Sequence, residues 1–392
     1  MALIEEKQAI IQGFLANWAM LADFSYSKLQ FQEVRSFLRA VSRGEVQLTT
    51  SRMQMTLGLL FSETARYQSR ARYTQAIGFL HRWQQRYLLP LPLAQFPPSF
   101  RPQLQRLAHF LERFELAAAA KAIRVGRFSA ARMVRFARQL LAVGPEVMAQ
   151  FWDDFHQFEA YWSVAKGMQQ RGFTLPTFRE GGLELDEFYH PGLARPVRNT
   201  FRLSPEERVL VLTGPNMSGK STLFKAVGLC AYLAHAGVGV PAARCELPFF
   251  HSSLIVIDLR DSLRDGYSHF MAEIQHLKRV LETARQPGHT LAIFDELFRG
   301  TNVEDALTIT EATLQGLAGL PRSWFFVSTH LLALEHRLPA LPAMTTYYID
   351  CVLQDGMPRF SYRLQAGWSA LKIGQLLFEK EGLYELLQPA TS

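Results

Sequence analysis

A chain of 392 residues is too long for one small hydrophobic core, which predicts two domains. Its 48% apolar and 20% charged residues are ordinary for a globular protein and exclude a disordered or fibrous chain. The sequence has no uncharged apolar run of about 18 residues, and Glu5 and Glu6 precede any apolar segment, so it predicts neither a membrane span nor a secretory signal. Three scattered cysteines without metal-ligand spacing are typical of free, buried thiols, and we expect a cytoplasmic protein.

The net charge of +7 is unevenly distributed along the chain. Residues 1–150 hold 20 Lys and Arg against 9 Asp and Glu, a net charge of +11, whereas residues 151–392 hold 22 against 26, a net charge of −4. The basic part favours a polyanionic partner such as DNA. Arginine-rich helices that only keep the surface soluble are the alternative that charge alone leaves open.

The first part of the chain, to about residue 170, follows the helical period throughout. Apolar residues recur at three-to-four spacing, as in Ile10, Phe14 and Trp18, and a proline cluster at 90–102 interrupts the pattern between two groups of helices. In the alanine-rich segment 117–141, cations lie along one helix flank, where they suit a phosphate backbone. A solvated helix face is the alternative for any one of them. These cations are Lys121, Arg124, Arg127, Arg132, Arg135 and Arg138.

The pattern changes near Gly172, where prolines and glycines separate short extended runs. Beyond Arg208, uniformly apolar runs alternate with helical segments, which predicts a largely parallel sheet covered on both faces. The runs lie at 209–212, 254–257, 291–294 and 324–327. We therefore predict an all-α domain at 1–180, followed by an α/β domain at 181–392.

The strongest motif is a phosphate loop between the first of these runs and a helical segment. Its glycines let the backbone curl so that N–H groups point at phosphate oxygens at a helix N-terminus. Lys220 is expected to reach the β- and γ-phosphates of ATP, and Ser221 to bind Mg²⁺. The motif predicts a P-loop NTPase. Its residues are Gly214, Pro215, Asn216, Met217, Ser218, Gly219, Lys220, Ser221 and Thr222.

A second motif places Asp295 and Glu296 directly after the apolar run at 291–294. In P-loop ATPases an aspartate at this point holds Mg²⁺, directly or through water, and the next glutamate orients and deprotonates the attacking water. Two acids after a strand are common by themselves. Their position 75 residues after Lys220 suits a Walker B element.

Three further segments, in this order, resemble the MutS family, whose ATPase head is of the ABC type. They are Asp265-Gly-Tyr-Ser268-His-Phe270, Arg299-Gly-Thr-Asn302-Val-Glu-Asp305 and Ser328-Thr-His330, and stretches at 162–203 and 360–367 also resemble the family. The resemblance implies a dimer, formed with a second copy or with a longer relative, in which Ser268 completes the nucleotide site of the other subunit. It also implies that His330 senses the γ-phosphate and positions the attacking water, and that Asn302 and Asp305 lie in the loop between subunits.

The sequence departs from the family in several places. Residues 1–189 are too few for the family's mismatch-reading domain, a connector and long lever helices together, and no Phe-x-Glu wedge occurs in a suitable setting. We therefore expect a short member without mismatch recognition of its own. Phe298 stands where the family has a glycine, and Pro196 or Val197 replaces the aromatic residue that stacks on adenine.

The predicted function is an ATPase with catalytic residues Lys220, Ser268, Glu296 and His330. ATP binding and hydrolysis in a dimer would switch DNA engagement, in mismatch repair or a related pathway. ATP-controlled dimerisation that acts on a protein partner is the alternative. The intact Asp295–Glu296 pair favours the ATPase, because a pure binding switch can dispense with the base. An ABC transporter subunit is disfavoured, since the sequence has no Leu-Ser-Gly-Gly-Gln-like signature.

Overall fold

A computed structural model of the chain describes residues 1–18, 27–61, 63–215, 217–257, 269–354, 357–369 and 378–387. Contacts within the chain divide it into two compact units: residues 4–167 together with Ala2, and residues 168–392 together with Met1 and Leu3. None of the helices in the described ranges combines the length and the apolar character that crossing a membrane requires.

Helices build the first unit, as the three-to-four spacing predicts. They are α1 Ala2–Ala16, α2 Lys28–Ser42, α3 Arg52–Phe61, α4 Glu63–Trp83, α5 Arg101–Glu112, α6 Leu116–Arg124, α7 Ala130–Leu141 and α8 Pro145–Arg171. Trp152, Phe155 and Phe158 lie on one face of α8 and are each at most 1% exposed. Trp83 packs on this face, with its ring centroid 4.8 Å from that of Phe155. Recurrence every three residues places these side chains on one side of the helix, where they form an aromatic core.

The proline cluster separates α4 from α5, as predicted. Pro102 lies in the first turn of α5. Proline suits this position because the first N–H groups of a helix have no helical partner to lose.

Two sheets form the second unit. The strands are β1 Thr177–Phe178, β2 Leu183–Phe188, β3 Asn199–Leu203, β4 Val209–Thr213, β5 Arg244–Leu247, β6 Phe250–Val256, β7 His289–Phe294, β8 Ser323–Thr329, β9 Met344–Gln354 and β10 Met357–Ala366. The larger sheet has the order β10-β9-β4-β8-β7-β6, and the smaller has the order β1-β5-β2-β3. Among the strands of the larger sheet that the structure describes, only β10, at one edge, is antiparallel to its neighbour. The prediction of a largely parallel sheet is therefore confirmed.

Helices cover both faces of the larger sheet. They are α9 Lys220–Ala236, α10 His269–Ala284 and α11 Val303–Ala318, and a short α12 follows at Leu383–Leu386. Leu210 and Leu212 of β4 belong to a buried cluster with residues of α9, whereas Val209 and Val211 belong to a second cluster with residues of α10 and α11. Because successive residues of a strand point to opposite faces, two covered faces require the continuous apolar runs that the sequence shows.

The cysteines are buried free thiols, as predicted: Cys230, Cys245 and Cys351. Burial raises the pKa of Cys230 to about 12. Such a thiol is protonated at neutral pH and is a poor nucleophile.

Candidate active site

The neighbouring strands β4, β8 and β7 end at one edge of the larger sheet, and each leads into a predicted motif. The segment 214–219 follows β4, Asp295 follows β7 and His330 follows β8. Ligands of open α/β sheets bind in the crevice outside the carboxyl ends of the strands. The topology therefore gathers motifs from distant parts of the chain at a position suited to a ligand.

Glycine conformations shape the loop between β4 and α9. Gly214 has φ 147° and Gly219 has φ 97°, a region that residues with a Cβ atom avoid. A Cβ atom at Gly219 would also lie only 3.2 Å from Cδ1 of Tyr362. Met217 has φ 71° and is 84% exposed, whereas Asn216 lies outside the described residues. Because α9 begins directly after this loop, the loop lies at the positive end of the helix dipole.

Two serine hydroxyls of this region have no partner within the described part of the chain. The Oγ atom of Ser218 is fully buried without a hydrogen bond. Ser221, in the first turn of α9, is half-buried, and its hydroxyl also makes no hydrogen bond to a described residue. An unpaired buried hydroxyl is costly, so a ligand oxygen at this point would be stabilising.

The Lys220 ammonium group is folded back beneath the loop. Its side chain is 4% exposed, and Nζ lies 3.3 Å from Oε1 of Glu296. Nζ also donates to the carbonyl oxygens of Gly214 at 2.8 Å and Pro215 at 3.0 Å. Burial lowers the pKa of Lys220, and Arg299 lowers it further, against the opposite effect of the Glu296 and Asp295 carboxylates. A buried cation that is only partly compensated favours the arrival of a further anion.

Ser328, at the end of β8, connects the two acids at the end of β7. Its hydroxyl donates to Oδ1 of Asp295 at 2.7 Å and accepts from the backbone N–H of Glu296 at 2.9 Å. Ser328 is fully buried and Glu296 is 8% exposed. Glu296 adopts φ 55°, a conformation that is unfavourable for a residue with a side chain and is typical of functional sites. The hydroxyl of Ser328 therefore holds the Asp295 carboxylate and the backbone of Glu296.

His330 and Arg299 lie on the other side of the Glu296 carboxylate. Oε2 of Glu296 is 2.9 Å from Nε of Arg299 and 4.0 Å from Nδ1 of His330. Burial is the main cause that lowers the pKa of His330, and Lys220 and Arg299 lower it further, against the opposite effect of Glu296. This lowered pKa favours the neutral imidazole of His330 at pH 7. The structure thus brings Lys220, Asp295, Glu296 and His330 into one cluster.

The same part of the chain matches a known family. Residues 210–383 match the family model of MutS domain V. The DNA mismatch repair protein MutS of Staphylococcus aureus, in strains JH9, Newman and Mu3, is 32% identical to this chain over 212 residues. Over this region the chain is therefore similar to domain V of MutS proteins. The match covers 52% of this chain and 24% of each relative, so the chain spans about a quarter of the length of these curated relatives.

Three further residues were compared with MutS motifs in the sequence: Ser268, Asn302 and Phe298. Ser268 lies outside the described residues. Asn302 caps the N-terminus of α11, where its Oδ1 atom accepts from the backbone N–H of Asp305 at 2.9 Å. Phe298, which replaces a glycine of the MutS pattern, has φ 63° and is 4% exposed. It therefore adopts a backbone conformation that glycine favours while its ring is buried.

A cavity of about 360 Å³ adjoins the loop, and its lining includes Ser218, Gly219, Thr222, Val197 and Tyr362. Neither Pro196 nor Val197 brings an aromatic ring to it. The rings in its lining belong to Tyr362 of β10 and to Phe188, Tyr189 and His190.

The conformation of Tyr362 depends on Asn199. The strand register of β10 is irregular between Phe360 and Leu364, and Tyr362 has φ 56°. The Asn199 side chain spans this irregularity: Nδ2 donates to the carbonyl oxygen of Tyr362 at 3.0 Å, and Oδ1 accepts from the backbone N–H of Leu364 at 2.8 Å. One amide thus pairs with a backbone acceptor and a backbone donor of the irregular segment.

Sequence reasoning assigned no role to Ser328, Arg299 or Tyr362. Ser328 stood inside a recognised motif, directly after an apolar run, and this position at the end of a strand was the available signal. For Tyr362 there was no local signal, because its place beside Gly219 depends on contacts between residues 143 positions apart.

Proposed function

We propose that this chain is a Mg²⁺-dependent ATPase of the MutS family, with a P-loop NTPase head of the ABC type. ATP binding and hydrolysis, in a dimer, would switch its engagement with DNA. One observation carries the proposal: the Lys220 ammonium group, the Asp295 and Glu296 carboxylates and the His330 imidazole converge beside the glycine-shaped loop. This is the set of groups that phosphoryl transfer to water requires.

Lys220 and the loop residues 214–222 would bind the phosphates of ATP. The phosphate oxygens would replace Glu296 and the two loop carbonyls as partners of the Lys220 ammonium group. The buried, unpartnered hydroxyl of Ser218 supports this role, because it lies in the loop and would donate to an oxygen acceptor. Phosphate binding would also release Glu296 from its ion pair with Lys220.

Ser221 and Asp295 would hold Mg²⁺. A hydroxyl and a carboxylate are the hard oxygen donors that this ion prefers. Asp295 is only half-buried, and the Ser221 hydroxyl makes no hydrogen bond within the described residues, so both can accept a ligand. When bound, Mg²⁺ would neutralise charge that develops on the phosphate oxygens.

Glu296 would orient a water molecule and take its proton as the water oxygen bonds to the γ-phosphorus and the bond to the ADP oxygen breaks. The neutral His330 imidazole can donate a hydrogen bond to the γ-phosphate or the water. Ser328 would keep Glu296 in place through its backbone N–H. Ser268, Asn302 and Asp305 would act across the dimer, as the MutS resemblance implies.

The cavity beside the loop would take the nucleoside. Tyr362 would provide the aromatic face that Pro196 and Val197 do not. We expect Tyr362→Ala to raise KM for ATP while kcat stays unchanged, because the ring lies at the cavity and not at the acids. Tyr362→Phe keeps the ring and should behave like the wild type. An unchanged KM in Tyr362→Ala would place the base elsewhere.

DNA is the proposed partner of the basic helical unit, and mismatch repair or a related pathway is the proposed setting. The relatives' name supports both. The test is steady-state ATP hydrolysis by the purified chain, with and without duplex DNA, beside Glu296→Gln. Glu282→Gln is the matched control, because Glu282 is a surface residue whose side chain is 64% exposed.

We expect turnover that DNA changes, that Glu296→Gln reduces about 100-fold or more and that Glu282→Gln leaves intact. Equal turnover by Glu296→Gln and the wild type would reject the role of Glu296. ATP binding without any turnover would instead favour ATP-controlled dimerisation. If DNA does not change the turnover rate, the proposed ATPase activity stands and the partner is a protein instead of DNA.

A further inference from the structure

The six cations of segment 117–141 fall into two groups by their partners. One group consists of Arg132, Arg135 and Arg138, which we call the partnered arginines. They are exposed, but each of them already interacts with a nearby oxygen atom. Arg132 Nη1 donates to the Ala118 carbonyl at 3.3 Å, Arg135 Nη1 lies 3.3 Å from Glu115 Oε2, and Arg138 Nη2 donates to the Thr50 carbonyl at 2.8 Å. These contacts fold the arginine side chains back onto the protein.

The other group consists of Lys121, Arg124 and Arg127, which we call the α6 cations. All three are exposed. Within the described part of the chain, none of them forms a side-chain hydrogen bond or an ion pair. Their charged groups are therefore available to an external anion.

The backbone holds the α6 cations close together. Lys121 and Arg124 are three residues apart in the last turn of α6, which places their Cβ atoms about 5–6 Å apart on one face of the helix. Gly126, at φ 70°, ends the helix: its N–H donates to the Ile123 carbonyl and the N–H of Arg127 donates to the Ala122 carbonyl. This pair of bonds is a Schellman motif, and it fixes Arg127 directly beyond the helix end.

The charges around the α6 cations are also positive. No Asp or Glu occurs from Leu116 to Pro145. α6 packs against α4, and burial, Arg124 and Arg82 all lower the pKa of His81 near the end of α4. The dipole of α6 stabilises cations in its last turn, so they need no acidic partner to remain there.

We propose that Lys121, Arg124 and Arg127 form the surface through which the helical unit binds the phosphate backbone of duplex DNA. A duplex carries one negative charge per about 1.7 Å of its axis. Three neighbouring cations can therefore contact phosphates at many positions along the duplex. An acidic protein would need a matching cluster of carboxylates. The proposal rests on DNA as the partner in the proposed function, and it adds which cations make the contact.

The experiment compares two triple variants of the full chain that lose the same charge. Lys121→Ala/Arg124→Ala/Arg127→Ala removes the α6 cations, and Arg132→Ala/Arg135→Ala/Arg138→Ala removes the partnered arginines. Alanine is a good helix former, so we expect both variants to fold, and far-UV circular dichroism checks this. Binding of a fluorescent 30-base-pair duplex is measured by anisotropy over a range of salt concentrations, and ATP turnover is measured without DNA.

We expect the first variant to bind more weakly and to lower the slope of log K against log salt by up to about 2.7, since each lost phosphate contact contributes about 0.9. The slope for the second variant should fall by less than about 1. Equal losses in both variants, or an unchanged slope in the first, would overturn the proposal. Competition by polyglutamate as effective as by unlabelled duplex would assign the surface to acidic proteins instead. If the wild-type chain hydrolyses ATP but binds no duplex, DNA is rejected as the partner in the proposed function. That outcome differs from one in which the wild-type chain binds DNA through residues other than the α6 cations.

Discussion

Breaking the ion pair between Lys220 and Glu296 should reveal a strong energetic coupling in the absence of nucleotide. The perturbation is a double-mutant cycle of Lys220→Met, Glu296→Gln and both together. The two charged atoms are 3.3 Å apart, and the side chains are 4% and 9% exposed. Coulomb's law with an effective dielectric constant of about 20 gives roughly 5 kcal/mol of attraction at this distance.

The net coupling should be smaller than this attraction, because burial also disfavours both charges. Burial lowers the pKa of Lys220, against the opposite effect of the two nearby carboxylates, so desolvation offsets part of the attraction. Each single variant leaves one charge buried without its partner, which costs about 3 kcal/mol. Glu296 keeps Arg299 at 2.9 Å in the Lys220→Met variant, so this variant should be the less affected of the two. We expect a coupling free energy of about 2–3 kcal/mol.

Urea unfolding at pH 7, without nucleotide or Mg²⁺ and followed by far-UV circular dichroism, measures the four free energies of unfolding. Equal m values across the four proteins are required for the comparison. If the double variant loses the sum of the two single losses to within about 0.5 kcal/mol, the two groups are independent. The reasoning from distance and burial would then be refuted, and with it the idea that phosphate binding exchanges partners at Lys220.

Three further variants test other parts of the second unit. Ser328→Ala removes the donor to Asp295, so kcat for ATP should fall about 10- to 100-fold with little change in KM; steady-state kinetics with an unaltered kcat would reject this positioning role. Phe298→Gly relieves backbone strain of about 1 kcal/mol but empties a buried ring site worth about 3–5 kcal/mol, so urea unfolding should show a loss of about 3 kcal/mol, and a gain in stability would contradict the balance. His235 accepts from the N–H of Phe250 at 2.9 Å, and burial lowers its pKa below 6.5. The neutral imidazole therefore makes its full contribution to the free energy of unfolding above pH 6.5. This contribution is lost as the pH falls from 6.5 towards the lowered pKa. His235→Gln should reduce the loss of stability between pH 7 and pH 5.5 relative to wild type, and identical losses would show that His235 does not contribute.

The sequence by itself determined the glycine-containing loop between β4 and α9, the strand that leads into it and the largely parallel sheet. These features are local or periodic. Glycine is needed wherever the loop takes positive φ, as at Gly214 and Gly219, and strands covered on both faces must be apolar at every position. The order of the motifs along the chain also carried the resemblance to the MutS family, on which the predicted roles of Ser268 and His330 rest.

Only the tertiary structure decided which side chains act on one another. Ser328 supports Asp295 and Glu296 from a different strand, 33 and 32 residues away, and no local pattern encodes that contact. Tyr362 reaches the cavity because the Asn199 amide, 163 residues earlier, stabilises an irregular strand.

The cations of 117–141 follow the same principle. They look equivalent in sequence, yet the Glu115 carboxylate and the Thr50 carbonyl engage Arg135 and Arg138, while the turn after α6 leaves Arg124 and Arg127 exposed. Periodicity specifies which face of an element is buried, because burial depends on the element's own pattern. The partner of a polar group depends on where the rest of the chain places an oxygen or a nitrogen, and only the packed fold sets that position.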